Sequence, residues 1–157
     1  MKIKMLVMDV DGTLTDGHIY MGPNGEAMKA FDCKDGYAIN QMLPQMGITP
    51  VIITGRDSVI LANRARELHI AELHQGVADK LPLLKQIAEK HGVLPDEIAY
   101  IGDDLNDLTC MGFCGLTACP RDAASGILPV VDYVCSRDGG RGAVRDFVEY
   151  MISLEHD

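Results

Sequence analysis

Two acidic residues follow the first apolar stretch of the sequence. Asp9 and Asp11 come directly after Met5–Met8, which has the length and composition of a buried strand. Gly12 then lets the chain turn, so both carboxyl groups can approach one reacting centre. A carboxylate there can attack phosphorus, and a neighbouring carboxyl can move the proton of the leaving group. The pattern predicts Asp9 as the nucleophile and Asp11 as the acid/base of a phosphoryl-transfer reaction.

A second acidic cluster follows another apolar run. Asp103, Asp104 and Asp107 come shortly after Ile98–Ile101, and the carboxyl ends of parallel strands gather at one edge of a sheet. Carboxylates that converge need a cation to offset their repulsion, and Mg²⁺ prefers such hard oxygen ligands. The predicted metal ligands are Asp9, Asp11 and Asp103. Asp104 and Asp107 are predicted to support these ligands without coordinating the metal themselves.

Asp104 and Asp107 each have a simpler interpretation. Asp104 can cap the helix that follows it, and Asp107 can be a solvated surface residue.

Phosphate-binding groups are predicted at the same edge. Thr54, Gly55 and Arg56 follow the apolar run Val51–Ile53, and Lys80 opens a predicted helix. A hydroxyl, backbone amides, a helix N-terminus and a lysine can all stabilise charge on a phosphoryl group. We therefore expect Thr54 and Lys80 to be catalytic and all four residues to contact substrate. The alternative for Arg56 is a surface ion pair with Asp57 or Glu67.

The rest of the chain alternates short apolar runs with longer amphipathic segments, which predicts an α/β fold with a mostly parallel sheet. The predicted strands are 3–8, 48–53, 70–73, 98–101 and 133–134. The predicted helices are 58–68, 81–91 and 141–154, with a weaker one at 35–46 that Pro44 interrupts.

One segment departs from this alternation. Strand-like stretches at 18–21 and 26–31 flank Gly22-Pro23-Asn24-Gly25, which predicts a protruding β-hairpin at about residues 17–31. A hairpin alone is marginally stable in water, so it must lean on the body of the domain or on another subunit. If exposed, its apolar side chains would suit a subunit interface: Tyr20, Met21, Met28 and Phe31.

Length and composition set limits on the class of protein. A chain of 157 residues suits a single domain, residues 1–157. A net charge of −9 without a dense basic run disfavours binding to nucleic acid or to an anionic membrane. The five cysteines show no CxxC pair, so reduced thiols are expected instead of a disulfide framework or a zinc site. Since no signal peptide or transmembrane stretch is evident, a cytoplasmic location is the default.

The motifs, taken in order, resemble those of the haloacid dehalogenase superfamily. These motifs are Asp9-x-Asp11-Gly12-Thr13, then Thr54, then Lys80, then Gly102-Asp103-Asp104-x-x-Asp107. The resemblance implies a Rossmann-like three-layer sandwich and a Mg²⁺-dependent phosphatase that works through an aspartyl phosphate. Because the intervals between motifs have no room for a cap domain, the chain is expected to be capless.

Further stretches look like the 3-deoxy-D-manno-octulosonate 8-phosphate phosphatase group. They include Leu14-Thr15-Asp16-Gly17, Ile53-Thr54-Gly55-Arg56 and Gly139-Gly140-Arg141-Gly142. This resemblance implies a phosphorylated sugar-acid substrate, a role in lipopolysaccharide biosynthesis, and a homotetramer in which the hairpin and tail of one subunit help close a neighbour's site. A guanidinium at Arg56 can bind the carboxylate of the sugar acid.

Two alternatives remain open at this point. Asn106-Asp107 is closer to the phosphatases of nonulosonate (sialic-acid-like) 9-phosphates, which act on similar substrates. The other alternative is a non-catalytic binding or regulatory module, against which the intact set of acidic residues argues.

Overall fold

The computed structural model describes residues 2–157. Its strands are β1 (Met5–Met8), β2 (Tyr20–Gly22), β3 (Gly25–Met28), β4 (Thr49–Ile53), β5 (Glu72–His74), β6 (Ile98–Ile101), β7 (Leu116–Cys119) and β8 (Tyr133–Val134). Its helices are α1 (33–45), α2 (Val59–Glu67), α3 (Lys80–His91), α4 (Leu108–Phe113) and α5 (Ala143–Glu155), with short 3₁₀ turns at Pro95–Glu97 and Leu105–Asp107.

Six strands form one parallel sheet in the order β5-β4-β1-β6-β7-β8. The central strand β1 pairs with β4 on one side and β6 on the other, so that Met8 lies opposite both Ile52 and Ile101. The carboxyl ends of these three strands therefore meet at the same place. The predicted α/β architecture is confirmed.

The two faces of the sheet pack against different helices. Along β1, Leu6 and Met8 join a core formed with α1, α2 and α5, whereas Met5 and Val7 join a core formed with α3 and α4. Successive side chains of a strand point to opposite faces, so this apolar run supplies both cores. The result is a three-layer sandwich, and within residues 2–157 no cap domain interrupts it.

Helix α1 accommodates Pro44 through a local change of geometry. The helix is α-helical over Cys33–Tyr37 and π-helical over Ala38–Met42, and its last turn contains Pro44. Proline has no N–H to donate and crowds the carbonyl four residues before it. The wider π turn immediately before Pro44 relieves that conflict, so the helix continues where the sequence predicted an interruption.

The structure corrects several predicted boundaries. Strand β5 begins at Glu72 instead of Ile70, because the Ile70 N–H closes the end of α2 on the carbonyl of Ala65. Strand β4 begins at Thr49, since the Ile48 N–H similarly closes α1. Strand β7 was not predicted from the sequence, and the helix expected after Asp104, for which no bounds were given, is α4.

The predicted hairpin is present as β2 and β3, paired antiparallel. Met21 and Met28 are largely exposed, but Phe31 packs against the core and beneath the guanidinium of Arg64. The apolar surface of the hairpin is therefore smaller than predicted. Across residues 2–157, none of the helices combines the length and apolar character needed to cross a membrane.

Candidate active site

The loop after β1 places the predicted nucleophile at the centre of the sheet edge. The N–H groups of Thr13, Leu14 and Thr15 all converge on the carbonyl of Val10. Gly12 makes this tight turn with a φ of 93°, a conformation that favours glycine. A Cβ at Gly12 would also lie 1.9 Å from Asp103 Oδ2, so the small residue lets the two acidic loops meet.

Two further glycines, Gly139 and Gly140, pack onto the loop after β1. A Cβ at Gly139 would lie 1.9 Å from the carbonyl oxygen of Gly12, and Gly140 donates its N–H to the carbonyl of Thr13. The segment before α5 thus presses directly on the nucleophile loop. The close packing of Gly139 and Gly140 therefore helps to fix the position of the loop that carries Asp9 and Asp11.

Lys80 links the two acidic loops. Its Nζ lies 3.1 Å from Asp9 Oδ1 and 3.0 Å from Asp107 Oδ1, and its side chain is almost completely buried. Burial alone would lower the pKa of Lys80, but the charges of Asp9 and Asp107 raise it. Lys80 is therefore a fixed cation next to the predicted nucleophile.

Asp107 is fully buried, so the alternative of a solvated residue is wrong. One oxygen accepts from Lys80 and from the hydroxyl of Tyr100, 2.5 Å away, while the other accepts from the N–H groups of Asp103 and Asp104. Asp107 thereby fixes the loop that carries Asp103.

Three carboxylates converge beside Lys80. One oxygen from each of Asp9, Asp103 and Asp107 lies within 4.8 Å of the others. Burial raises the pKa of Asp103, and its hydrogen bond with Asp9 and the charges of Asp9 and Asp107 raise it further. Burial, followed by the charge of Asp107, also raises the pKa of Asp9 in spite of Lys80. One ammonium group does not offset this repulsion, and a hard divalent cation fits the oxygen donor set.

The carboxylate of Asp11 lies outside that cluster. Lys29 of the segment after β3 donates to Asp11 Oδ1 at 2.7 Å, and Arg56 Nε lies 3.9 Å from Asp11 Oδ2. The carboxylate of Asp11 is therefore not among the three grouped oxygens, and its assignment as a metal ligand stays a prediction. Its position beside Asp9 on the same turn suits an acid/base.

The remaining predicted residues lie around the same edge. Thr54 is buried at the end of β4, and Gly55 is exposed next to it. Arg56 is half exposed and lies 3.7 Å from Glu26 instead of pairing with Asp57 or Glu67. Asp104 is exposed and caps the turn that follows, accepting from the Leu105 N–H, so its metal-supporting role stays a prediction.

Three residues near the site were not singled out from the sequence. The Thr13 hydroxyl donates to Asp103 Oδ1 at 3.1 Å, Tyr100 holds Asp107, and Lys29 holds Asp11. Thr13 lies inside the first motif, so its position was a usable signal. By sequence alone, Tyr100 cannot be distinguished from an ordinary core residue of an apolar strand. Lys29 belongs to no periodic pattern of residues that would mark it.

Known proteins are similar in sequence to this chain. A family model described as haloacid dehalogenase-like hydrolase matches residues 67–147. The 3-deoxy-D-manno-octulosonate 8-phosphate phosphatase of Salmonella typhi is 43% identical over 150 residues, which cover 96% of this chain and 79% of the relative. The chain belongs to the haloacid dehalogenase-like hydrolase family. The Yersinia pestis phosphatase of the same name is 42% identical, with 96% of this chain and 80% of the relative covered.

Solved structures of haloacid dehalogenase-like hydrolases agree with the fold over nearly the whole chain. The Yersinia pestis octulosonate phosphatase superposes with a TM-score of 0.94 at 42% identity, covering 98% of this chain and 83% of that chain. The cobalt-bound Haemophilus influenzae phosphatase gives 0.95 at 36% identity, with 99% and 90% covered. The Moraxella catarrhalis enzyme, in complex with magnesium, phosphate and KDO, gives 0.91 at 40% identity, with 96% and 86% covered.

Proposed function

We propose that this chain is a Mg²⁺-dependent phosphatase that hydrolyses 3-deoxy-D-manno-octulosonate 8-phosphate through an aspartyl-phosphate intermediate. The observation that carries the proposal is the buried Asp9–Lys80 contact at 3.1 Å, facing Asp103 at the edge of the sheet. It combines a nucleophile, a fixed cation and a group of oxygen ligands at one point. The similarity to octulosonate phosphatases over 96% of the chain supports the substrate.

In this proposal the chain's residues divide the reaction into two displacements. Asp9 attacks the phosphorus while Asp11 gives its proton to the departing sugar oxygen. A water molecule then attacks the aspartyl phosphate, and Asp11 takes the proton from that water. Lys80 and Thr54 stabilise charge on the phosphoryl oxygens throughout, in line with the largely electrostatic catalysis of phosphoryl transfer.

We assign the metal site to Asp9 and Asp103, with Asp11 as a third ligand from the same loop. Asp107 supports them by holding the Asp103 N–H, and Asp104 is the weaker supporting candidate. When bound, Mg²⁺ offsets carboxylate repulsion and polarises the phosphoryl group.

Arg56 is the proposed contact for the carboxylate of the sugar acid. Its guanidinium is half exposed beside Asp11, and its 3.7 Å and 3.9 Å contacts to carboxylates exceed ordinary hydrogen-bond length. The Arg56 guanidinium therefore forms no short hydrogen bond to Asp11 or Glu26. A substrate carboxylate can form a forked bond with it.

We further propose that the hairpin mediates a cytoplasmic homotetramer. Met21 and Met28 are 66% and 57% exposed, and Ile19 beside them is 39% exposed. Exposed apolar side chains on a protruding element suit burial against another subunit. Light scattering of the wild type and of Met21→Lys tests this: a tetramer that dissociates in the variant supports the proposal, and a monomeric wild type contradicts it.

The substrate proposal is tested by phosphate release in the presence of Mg²⁺. The panel comprises octulosonate 8-phosphate, nonulosonate 9-phosphates and hexose phosphates, with kcat/KM compared for each. We expect octulosonate 8-phosphate to lead by at least about 10-fold, which corresponds to about 1.4 kcal/mol. Preference for a nonulosonate would replace the substrate, and no release from any ester would favour the non-catalytic alternative.

A further inference from the structure

We propose that Lys29, at the foot of the hairpin, is a positioning residue for the acid/base Asp11. Its ammonium lies 2.7 Å from Asp11 Oδ1 and 3.0 Å from Glu26 Oε2. The Lys29 side chain is only 4% exposed, whereas lysines usually keep their charge in water. This inference rests on the proposed phosphatase function.

Lys29 is held from behind by a chain of polar contacts. Glu26 also accepts a hydrogen bond from the Ser58 hydroxyl at 2.7 Å, and Ser58 in turn caps α2 by accepting from the Leu61 N–H. Burial alone would raise the pKa of Glu26. The hydrogen bonds from Ser58 and Lys29 nevertheless hold this pKa below its ordinary value. The ionised Glu26 therefore holds the Lys29 ammonium in a fixed position relative to α2.

These contacts distinguish the pair from an ordinary surface ion pair. Exposed lysine–carboxylate pairs contribute little because solvent screens them and the side chains are mobile. Here the lysine is buried between two carboxylates, so its removal leaves both Asp11 and Glu26 without their closest cation. The orientation of Asp11 thus depends on the docking of the hairpin.

The chemical consequence falls on the proton-transfer step. The bond between phosphorus and the leaving oxygen breaks, the bond from Asp9 to phosphorus forms, and the proton of Asp11 moves to the leaving oxygen. Asp11 is then a carboxylate, and the Lys29 ammonium keeps its hydrogen bond to Oδ1. With one oxygen of Asp11 held by Lys29, the other is left to face the leaving group.

The test compares two leaving groups in Lys29→Met, Lys29→Gln and Lys29→Arg. An alkyl phosphate needs its leaving oxygen protonated, whereas 4-nitrophenyl phosphate releases a stable anion and needs little acid catalysis. We expect Lys29→Met and Lys29→Gln to lose about 10- to 100-fold in kcat on the alkyl phosphate, much less on the aryl phosphate, with little change in KM. Lys29→Arg, which keeps the charge, should recover most of the loss.

Lys90→Met is the matched control, because Lys90 forms a 2.7 Å pair with the low-exposure carboxylate of Glu72, a pair outside the site. It should leave the ratio of the two rates unchanged. That ratio is measured on one preparation, so it does not depend on the folded fraction. Equal losses on both substrates in the Met and Gln variants, or no loss, would overturn the proposal.

The wild type separates this inference from the substrate assignment. If octulosonate 8-phosphate is a poor substrate but another alkyl phosphate is hydrolysed, the substrate assignment fails and the comparison proceeds with that ester. If the wild type hydrolyses no phosphate ester, the proposed function and the role of Lys29 both fail.

Discussion

Lys80 and Asp107 form a completely buried ion pair with an Nζ–Oδ1 distance of 3.0 Å. The same Nζ reaches Asp9 at 3.1 Å, so one ammonium joins the loop after β1 to the loop after β6. A buried charge is tolerated only when it is paired. The pair therefore serves both to hold the two loops together and to keep a cation at the nucleophile.

Replacing Lys80 should cost both activity and stability. In Lys80→Met, Asp9 and Asp107 lose the cation that they share, so we expect kcat to fall by at least about 100-fold. Removing one partner of a buried pair typically costs about 3–5 kcal/mol in the free energy of unfolding. Steady-state kinetics and urea unfolding measure the two effects. Lys85→Met on the same helix is the control, and similar losses there would contradict a specific role.

The metal assignment predicts different behaviour for two adjacent aspartates. Added Mg²⁺ should raise the melting temperature of the wild type, since a ligand that binds only the folded state stabilises it. This rise should disappear in Asp103→Asn but persist in Asp104→Asn, because Asp104 is an exposed cap. Thermal scans with and without Mg²⁺ measure it. Mg²⁺ stabilisation that survives in Asp103→Asn would remove Asp103 from the site.

The packing of Gly139 against Gly12 predicts a strong steric effect when a side chain is added at Gly139. Gly139→Ala would force a methyl group to within 1.9 Å of the Gly12 carbonyl oxygen. We expect a loss of at least about 2 kcal/mol in stability and a reduced kcat, because the nucleophile loop must shift. Gly112→Ala, in helix α4 with open space around it, should be neutral or up to about 1 kcal/mol stabilising. Chemical unfolding and kinetics of both variants test this, and an unperturbed Gly139→Ala would refute the contact.

Glu72 should contribute a pH-dependent part of the stability. Hydrogen bonds from Lys90, His91 and His74 lower the pKa of this buried carboxyl from 4.5 to about 2. A depressed carboxyl pKa stabilises the fold above the unfolded value, so this contribution is complete above pH 4.5 and is lost as the pH falls towards 2.

Glu72→Gln tests this linkage. At about pH 6 we expect the variant to be less stable by about 1–3 kcal/mol, and at about pH 3 the difference should be clearly smaller. Urea unfolding at the two pH values gives both differences. A difference that stays constant or grows towards low pH would contradict the assigned pKa.

The elements that carry the site were predictable because their signals are local. Apolar runs followed at once by Asp9, Thr54 and the Asp103 cluster indicated strand ends at one edge, and the parallel sheet places them there. The predicted helices 58–68 and 81–91 correspond to α2 and α3: Ser58 caps α2, and Gly92 ends α3 in the left-handed conformation.

What sequence analysis missed depends on tertiary contacts. Strand β7 is four residues long, and its Leu-Thr-Ala-Cys sequence has no distinct period. The burial of Asp107 results from Tyr100 and Lys80 converging on it. Likewise, the contact between Lys29 and Asp11 joins residues 18 positions apart and exists only because the hairpin folds over the nucleophile loop.

The most direct test of the central claim is to look for the phosphoryl group on Asp9. Wild-type enzyme is mixed with excess octulosonate 8-phosphate and Mg²⁺, quenched in acid within the first turnovers, and its peptides are analysed by mass spectrometry. We predict that the peptide containing Asp9 gains the mass of one phosphoryl group, and that Asp9→Asn shows neither this adduct nor turnover. Undiminished phosphate release by Asp9→Asn would contradict the account.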